Sequence, residues 1–207
     1  MRRILTVLRY LPILIMYPLY KNNNRLMMDI ERWDKSNTSV HKKIAKLLYN
    51  KREFRNLFIY RNRYPKESKP HRFFCCWIKL WYKPLESLYI ECPDIGGGFY
   101  VQHGFATYIA AKKIGENFSV NQQVTIGYNN TMDCPVLGNN VMVTCGAKVL
   151  GGIEIGDNTR IGANAVVLKD YKRGHGILVG VPAVPKKEAS KDLLVSLGIK
   201  IDESLFE

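Results

Sequence analysis

Branched apolar residues recur at intervals of six along the second half of the chain. They are Leu137, Val143, Val149, Ile155, Ile161 and Val167, then Ile114, Val120 and Ile126, and Ile95 and Val101. A glycine or another small residue follows many of them. A helix of period 3.6 cannot keep a six-residue spacing, and antiparallel strands alternate with period two. The pattern therefore predicts a β-solenoid of short strands and tight turns, with three six-residue units per coil and the branched side chains inside.

Residues 1–88 follow a helical pattern instead. The segment "SVHKKIAKLLYNKREF" places Val40, Ile44, Leu47 and Leu48 on one helical face, with Ser39 as N-cap. The aromatic run "RFFCCWIKLWYK" predicts another buried helix, and residues 64–71 read as a connector. Near the start, Pro12 and Pro18 interrupt an apolar run that is too short to span a bilayer and lacks a cleavage site. We expect a helix that packs on the protein or lies at a membrane surface.

The positive charge is concentrated in the helical part. The 207 residues carry a net charge of +13, and residues 1–88 hold 20 Lys/Arg against 6 Asp/Glu, a net of +14. We therefore predict three regions: a basic helical region 1–88, a solenoid 89–187 and a tail 188–207. The basic region is interpreted as a solvated helical cap or as a contact with an anionic membrane surface. Nucleic-acid binding is disfavoured because no binding motif accompanies the charge.

The five cysteines follow neither a metal-binding nor a disulfide spacing. An odd number of such residues predicts reduced thiols and hence a cytoplasmic compartment, on the cytoplasmic face of a membrane if residues 1–88 touch lipid. No metal site is predicted.

The six-residue period fails at two places, where we expect function. One residue is extra between Val101 and Ile114, and His103 lies there. The spacing from Ile126 to Leu137 is eleven, so the loop "YNNTMDCP" bulges from the solenoid. The two interruptions are predicted to border one cleft. A neutral imidazole suits a general base at neutral pH, whereas the alternative is a corner histidine bonded to backbone.

The repeats resemble those of the hexapeptide-repeat acyltransferases, and more narrowly the serine acetyltransferases and related acetyltransferases of polysaccharide biosynthesis. The matching pieces are "IGGGFYVQHG", "NQQVTIG", "CPVLGNNV", "CGAKVLGGIEIGDNTRIGANAVVLKD" and "VGVPA". The resemblance implies a left-handed parallel β-helix, a homotrimer with shared sites, and acetyl-CoA as co-substrate.

The resemblance also implies roles for individual residues. His103 matches the catalytic base, and Gly104 beside it leaves room for substrate and a backbone N–H. Gln102, Gly104 and Asp133 fall at substrate-binding positions. Cofactor-binding positions are Thr125, Gly127, Gly146, Ala147, Gly162, Ala163 and Lys186. A backbone N–H near Gly127 is a candidate oxyanion donor, and Glu91 and Asp94 are candidates to orient His103.

Two departures from serine acetyltransferases bear on the acceptor. Those enzymes usually have an aspartate where this chain has Gln102, and a histidine in the loop where it reads Asp133-Cys134-Pro135. Fewer negative groups would meet a serine ammonium, which favours a neutral hydroxyl such as that of a sugar in surface-polysaccharide biosynthesis. Serine O-acetylation is the alternative, since Asp133 remains.

Two other classes share the solenoid. Zinc carbonic anhydrases need three histidines on adjacent coils, and the solenoid holds only His103 and His175. A non-catalytic hexapeptide scaffold keeps the repeats without needing His103. The remaining histidines, His41, His71 and His175, are interpreted as structural or solvated.

Overall fold

The structure is a computed structural model that describes residues 11–186, with gaps at 12, 16, 64–68 and 131. The helices are α1 Tyr17–Tyr20, α2 Asn24–Trp33, α3 Val40–Asn50, α4 Arg52–Arg63 and α5 Lys69–Trp81. The strands are β1 Leu88–Ile90, β2 Tyr100–Val101, β3 Thr107–Ile109, β4 Lys113–Ile114, β5 Ser119–Val120, β6 Thr125–Gly127, β7 Val136–Leu137, β8 Met142–Val143, β9 Lys148–Leu150, β10 Glu154–Ile155, β11 Arg160–Ile161, β12 Val166–Val167, β13 Ile177–Val179 and β14 Val184–Pro185. Residues 1–10, the connector residues 64–68 and the tail 188–207 lie outside the described residues, whereas residues 69–71, predicted as connector, belong to α5.

The chain forms two units. Among the described residues, the helical unit comprises those up to Glu86 together with Gly97–Phe99, and the β unit comprises Ser87–Gly96 and those from Tyr100 onwards. The boundary of the helical unit thus falls two residues before the sequence-derived one, and three residues of the glycine-rich stretch belong with the helices. Apolar burial explains the helices themselves, since Ile44, Leu47 and Leu48 of α3 are buried as predicted. Val40, the fourth residue predicted on this face, begins the helix and is only half-buried. Ser39 is the N-cap of α3, but its side chain makes no capping hydrogen bond.

A buried ion pair lies in the helical unit. The Asp29 carboxylate accepts hydrogen bonds from Arg61 Nε at 2.7 Å and from the Phe99 N–H at 2.7 Å. Burial raises the pKa of Asp29, and Arg61 opposes that shift. A buried carboxylate that accepts several bonds is strongly destabilising when its partner is removed. Asp29 therefore ties α4 and the Gly97–Phe99 segment to α2.

Helix α5 differs from the prediction of a buried helix. Phe74 and Ile78 are fully buried, whereas Phe73 and Leu80 are 66% and 80% exposed. Apolar residues occupy both sides of this helix, and one helix packing against one neighbouring layer buries only one of them. The aromatic run predicted the helix but not which of its faces is covered.

The β unit is a parallel β-helix, as the six-residue period predicted. Three sheets run along it: sheet A has the order β1-β3-β6-β9-β12, sheet B has β4-β7-β10, and sheet C has β2-β5-β8-β11-β13-β14. All pairs are parallel except β13 with β14. All eleven residues of the six-residue series are at most 2% exposed. Partners such as Leu137 and Ile155 stack in register, so each column of branched side chains forms a continuous core.

The corner between sheets B and C, here called the BC edge, is closed by stacked side chains. Asn117 donates to Asn140, Asn140 donates to Asn158 at 2.8 Å, and Asn158 contacts His175. All four residues have positive φ, which asparagine tolerates better than most residues. His175 therefore ends a structural ladder at the last coil.

The five cysteines Cys75, Cys76, Cys92, Cys134 and Cys145 are free. Burial raises the pKa of Cys92 to about 11, so this thiol is protonated at neutral pH.

Candidate functional site

His103 lies where the chain turns from sheet C to sheet A, at a corner called here the CA edge. The inward residues Val101 and Ile109 that flank the turn are eight positions apart instead of six, and Ile109 and Ile114 are five apart. The corner therefore holds two extra residues, and the next turn lacks one. The sequence spacing showed only the net difference of one. His103 and Ala106 have φ values of 65° and 51°, which lets the enlarged corner fold back onto the solenoid.

The imidazole of His103 is exposed and makes no hydrogen bond with any described residue. Only its backbone is engaged, because the Phe105 N–H donates to the His103 carbonyl. Gly104 is buried, and its N–H has no acceptor in the described part of the chain. A proton acceptor and an N–H donor thus adjoin at one corner without internal partners, which suits them to bind a ligand.

Four of the predicted cofactor positions lie on the CA edge. Gly146, Ala147, Gly162 and Ala163 occupy the turns of later coils, stacked through bonds such as Gly146 N–H to Gln122 O at 3.1 Å. The Gly146 Cβ position lies 2.0 Å from Asn164 Oδ1, and its φ is +73°, so the turn itself requires glycine here. The Ala147 methyl is fully buried, which gives this residue a packing role. Ala163 is exposed at the edge.

Gln122, which the sequence reasoning did not select, lies on the CA edge one coil beyond His103. Its Oε1 is buried and accepts no hydrogen bond among the described residues. A buried carbonyl oxygen without a donor is costly. The break in the period pointed to this corner, but only the stacking of coils placed Gln122 beside it.

Thr125, Gly127 and Lys186 lie elsewhere on the β unit. Thr125 is in β6 of sheet A, and Gly127 ends that strand at the corner between sheets A and B, here called the AB edge. A Cβ atom built on Gly127 would meet nothing within 4 Å, so nothing within this chain requires glycine there. Lys186 is exposed directly after β14, and its backbone N–H donates to Ile177 O at 2.8 Å.

The described residues of the loop 128–135 lie on the AB edge. Lys112 forms an ion pair with Asp133, which raises the pKa of Lys112. The same carboxylate lies over Gly152, where a Cβ would be 2.5 Å from Asp133 Oδ2. The neighbouring Cys134 raises the pKa of Tyr128. Polar contacts therefore hold the loop against the solenoid, and the lack of a side chain at Gly152 leaves room for the Asp133 carboxylate.

The prediction that His103 and this loop border one cleft is wrong within a single chain. His103 precedes β3, and the loop follows β6, so they occupy opposite edges of sheet A. A strand of three residues separates these edges by about 10 Å. The sequence shows two interruptions of the six-residue period, but it does not show which corner of the solenoid each one occupies. Asp133 accordingly lies apart from Gln102 and Gly104.

Neither predicted orienting carboxylate hydrogen-bonds His103 within the described residues. Glu91 accepts a hydrogen bond from the Tyr108 hydroxyl, and this bond raises the pKa of Tyr108. Glu91 follows β1 and its N–H donates to Ile109 O, which places it towards the AB edge. Asp94 adjoins Ile95, whose bridge to Ile114 belongs to the sheet B side. No cluster of three or more metal-ligating side chains occurs among the described residues.

Comparisons with known proteins match the β unit. Residues 134–169 match the family "Bacterial transferase hexapeptide (six repeats)". A serine acetyltransferase of Helicobacter pylori strain J99 is 44% identical over 84 residues, which cover 39% of this chain and 49% of that protein. The chain thus spans about half the length of this curated relative.

Solved structures extend the likeness to the fold. The serine acetyltransferase of Neisseria gonorrhoeae in complex with serine gives a TM-score of 0.58 at 21% identity, over 87% of this chain and 83% of that one. A serine acetyltransferase in complex with CoA gives 0.57 at 21% identity, over 88% and 83%. The β unit therefore carries hexapeptide repeats, and its fold is that of serine acetyltransferases.

Proposed function

We propose that this chain is an acetyl-CoA-dependent O-acetyltransferase in which His103 is the general base. The observation that carries the proposal is the exposed imidazole at the enlarged CA corner, which has no internal hydrogen bond among the described residues. It lies on the same edge as the small residues of the Gly146 and Gly162 turns. The similarity to serine acetyltransferases, one of them in complex with CoA, supports acetyl-CoA as the donor.

The reaction assigned to this site is a direct acyl transfer. The imidazole of His103 takes the proton of the acceptor hydroxyl while the oxygen attacks the thioester carbonyl. A tetrahedral intermediate forms, and the N–H of Gly104, which has no acceptor in the described part of the chain, is the donor proposed for its oxyanion. The C–S bond then breaks, and the imidazolium returns the proton to the leaving thiolate. The products are the O-acetyl ester and free CoA.

The comparisons favour L-serine as the acceptor, which the sequence analysis placed second. The relatives named here are serine acetyltransferases, and one neighbour holds serine. The proposed serine site uses Gln102 and Gly104 of the His103 corner. Asp133 lies on the opposite edge of sheet A, so it reaches serine only from a neighbouring subunit of the proposed homotrimer.

A saccharide hydroxyl is the second candidate because of the charges near the site. An amino-acid ammonium needs an available carboxylate, but Gln102 is neutral and Asp133 is paired with Lys112. A sugar hydroxyl needs no such partner. Thiol release from acetyl-CoA, measured with L-serine and with nucleotide-activated and lipid-linked sugars, distinguishes the two acceptors. If no acceptor causes thiol release from acetyl-CoA, the result favours the alternative that the chain is a non-catalytic hexapeptide scaffold.

The test of His103 uses a matched histidine. We expect His103→Asn to lower turnover by about 10²–10⁴-fold, because asparagine keeps the left-handed backbone but accepts no proton. His175→Asn changes the other corner histidine, on the BC edge, and should leave turnover near wild type. Circular dichroism and the melting temperature check that both variants fold. Near-normal turnover of His103→Asn with the preferred acceptor would reject His103 as the base.

A further inference from the structure

Helix α5 presents an apolar stripe to solvent. Phe73, Cys76, Trp77 and Leu80 follow the spacing i, i+3, i+4 and i+7, which places them on one face of the helix. Phe73 is 66% and Leu80 is 80% exposed, and the rings of Phe73 and Trp77 lie 6.1 Å apart. The opposite face, with Phe74 and Ile78, is buried. These four outward residues are called the α5 stripe below.

A second set of apolar residues is exposed in the same unit. Leu11, Leu14 and Ile15 are 41%, 43% and 53% exposed and have the spacing i, i+3 and i+4, while Ile13 between them is fully buried. Single exposed apolar residues are common on protein surfaces, but repeated helical spacing of large ones is typical of interaction sites. The helical unit therefore has more apolar surface than its own core uses.

The charge of this unit indicates what covers that surface. Residues 1–86 contain 20 Lys/Arg and 6 Asp/Glu. Three acidic residues, Asp29, Glu31 and Asp34, are already paired with Arg61, Lys43 and Lys46. By contrast, Lys21, Lys35, Lys42, Lys51 and Lys79 are exposed and form no ion pair with any described residue. The unit thus combines exposed Phe73 and Leu80 and the half-buried Trp77 with a large excess of solvated cations.

We propose that the α5 stripe docks on the surface of a lipid bilayer that contains anionic lipids. A Lys/Arg-rich unit with Trp, Phe and Leu on one helical face is the combination that lies in the membrane interface. Among the described helices, none is both long and apolar enough to cross a bilayer. The helix therefore lies along the interface, with the stripe among the headgroups and the lysines against the negative surface.

The same charges disfavour a second copy as the occupant. Lysine is depleted at the centre of protein interfaces, and two units of net charge +14 repel each other at ordinary ionic strength. An anionic bilayer offers an extended negative surface and an apolar layer below it. The bilayer therefore covers the apolar side chains of the α5 stripe and also neutralises the excess positive charge. A purely acidic protein surface would neutralise only the charge.

The experiment is co-sedimentation of the full chain with vesicles, without acetyl-CoA or acceptor, so its outcome is independent of the proposed catalysis. We expect binding to phosphatidylcholine vesicles that contain phosphatidylserine, little binding to phosphatidylcholine alone, and loss of binding as salt is raised. The double variant Phe73→Ser with Leu80→Ser should weaken binding by about tenfold or more, because it removes the inserted apolar groups. Tyr49→Ser is the matched control, since Tyr49 is also largely exposed but lies on α3.

Several outcomes would overturn the proposal. One is wild-type chain that stays in the supernatant with both kinds of vesicle. Another is a double variant that binds the vesicles as tightly as the wild type does, or at least as tightly as the Tyr49→Ser control does. Self-association of the wild type that the double variant abolishes, without vesicle binding, would assign the stripe to a second copy instead. Both substituted side chains are solvent-exposed, and unchanged melting temperatures would show that the variants remain folded.

Discussion

At the scale of single residues, His103 and His175 differ in side-chain partners rather than in backbone. Both are corner histidines with positive φ, at 65° and 53°. Such a conformation costs a non-glycine residue roughly 1–2 kcal/mol, so it alone distinguishes neither. The ring of His175 is held by Asn158, whereas that of His103 has no bond among the described residues. The imidazole without an internal partner among the described residues is the one proposed as the general base.

Gly127 provides a test of close ligand approach at this scale. Its φ is outside the left-handed region, and an added Cβ would meet open space within the chain, so Gly127→Ala should fold with the wild-type melting temperature. If the cofactor or a neighbouring subunit passes close to this backbone, one methyl group costs about 1–3 kcal/mol there. We expect the KM for acetyl-CoA to rise about tenfold.

The control for this measurement is Gly138→Ala, whose Cβ would lie 2.2 Å from Asp157 Oδ1. That variant should lose stability while the folded fraction keeps its KM. An unchanged KM for both substrates in Gly127→Ala would remove this glycine from the proposed site.

At the scale of elements, the three edges of the solenoid have different roles. The BC edge is filled by the ladder from Asn117 to His175. The AB edge is covered by the loop 128–135, with Asp133 over Gly152. The CA edge has the enlarged His103 corner and the unpaired Gln122 oxygen. Polar groups that satisfy one another stabilise an edge, and unsatisfied ones leave it ready for a ligand.

The ladder allows a prediction that separates stability from chemistry. Asn140→Ala should lower the free energy of unfolding by about 2–4 kcal/mol, because it removes two side-chain hydrogen bonds and leaves alanine at a φ of +55°. Asn140→Gly loses the same bonds but tolerates the backbone, so it should cost less. Urea denaturation measures both. Equal losses would show that the backbone conformation contributes little, and reduced turnover at saturating substrate would connect this edge to the site.

At the scale of the whole molecule, the proposed site draws on groups that one chain does not bring together. Asp133 and the loop 128–135 face away from the His103 corner across sheet A, and no carboxylate orients His103 within the described residues. A neighbouring copy is the simplest source of the missing groups. In the proposed homotrimer, the AB edge of one chain would lie against the His103 corner of the next chain.

Light scattering in solution tests this assembly. We expect a mass of three chains of 23.8 kDa at concentrations where the protein is active. His103→Asn should have the same mass, because the proposed base contributes to catalysis and not to assembly. A monomer with full acetyl transfer would show that one chain holds a complete site, and the roles assigned across subunits would then be wrong.

The sequence by itself determined the solenoid and its catalytic candidate. A six-residue period of branched side chains is compatible with stacked coils and with little else, so the core columns were predictable residue by residue, from Ile95 to Val167. A break in that period also marked His103. In residues 1–88, helical periodicity predicted the buried face of α3 for the same reason.

Only the tertiary structure decided which groups meet. Spacing along the chain does not say which corner of the prism a residue occupies, so it did not show that the loop 128–135 and His103 lie on opposite edges of sheet A within one chain. It also missed Gln122, which reaches the His103 corner only because consecutive coils stack. The same holds for α5, whose two apolar sides are equivalent in sequence until packing covers one of them. Local pattern fixes an element and its period, whereas proximity between elements depends on contacts that no local pattern encodes.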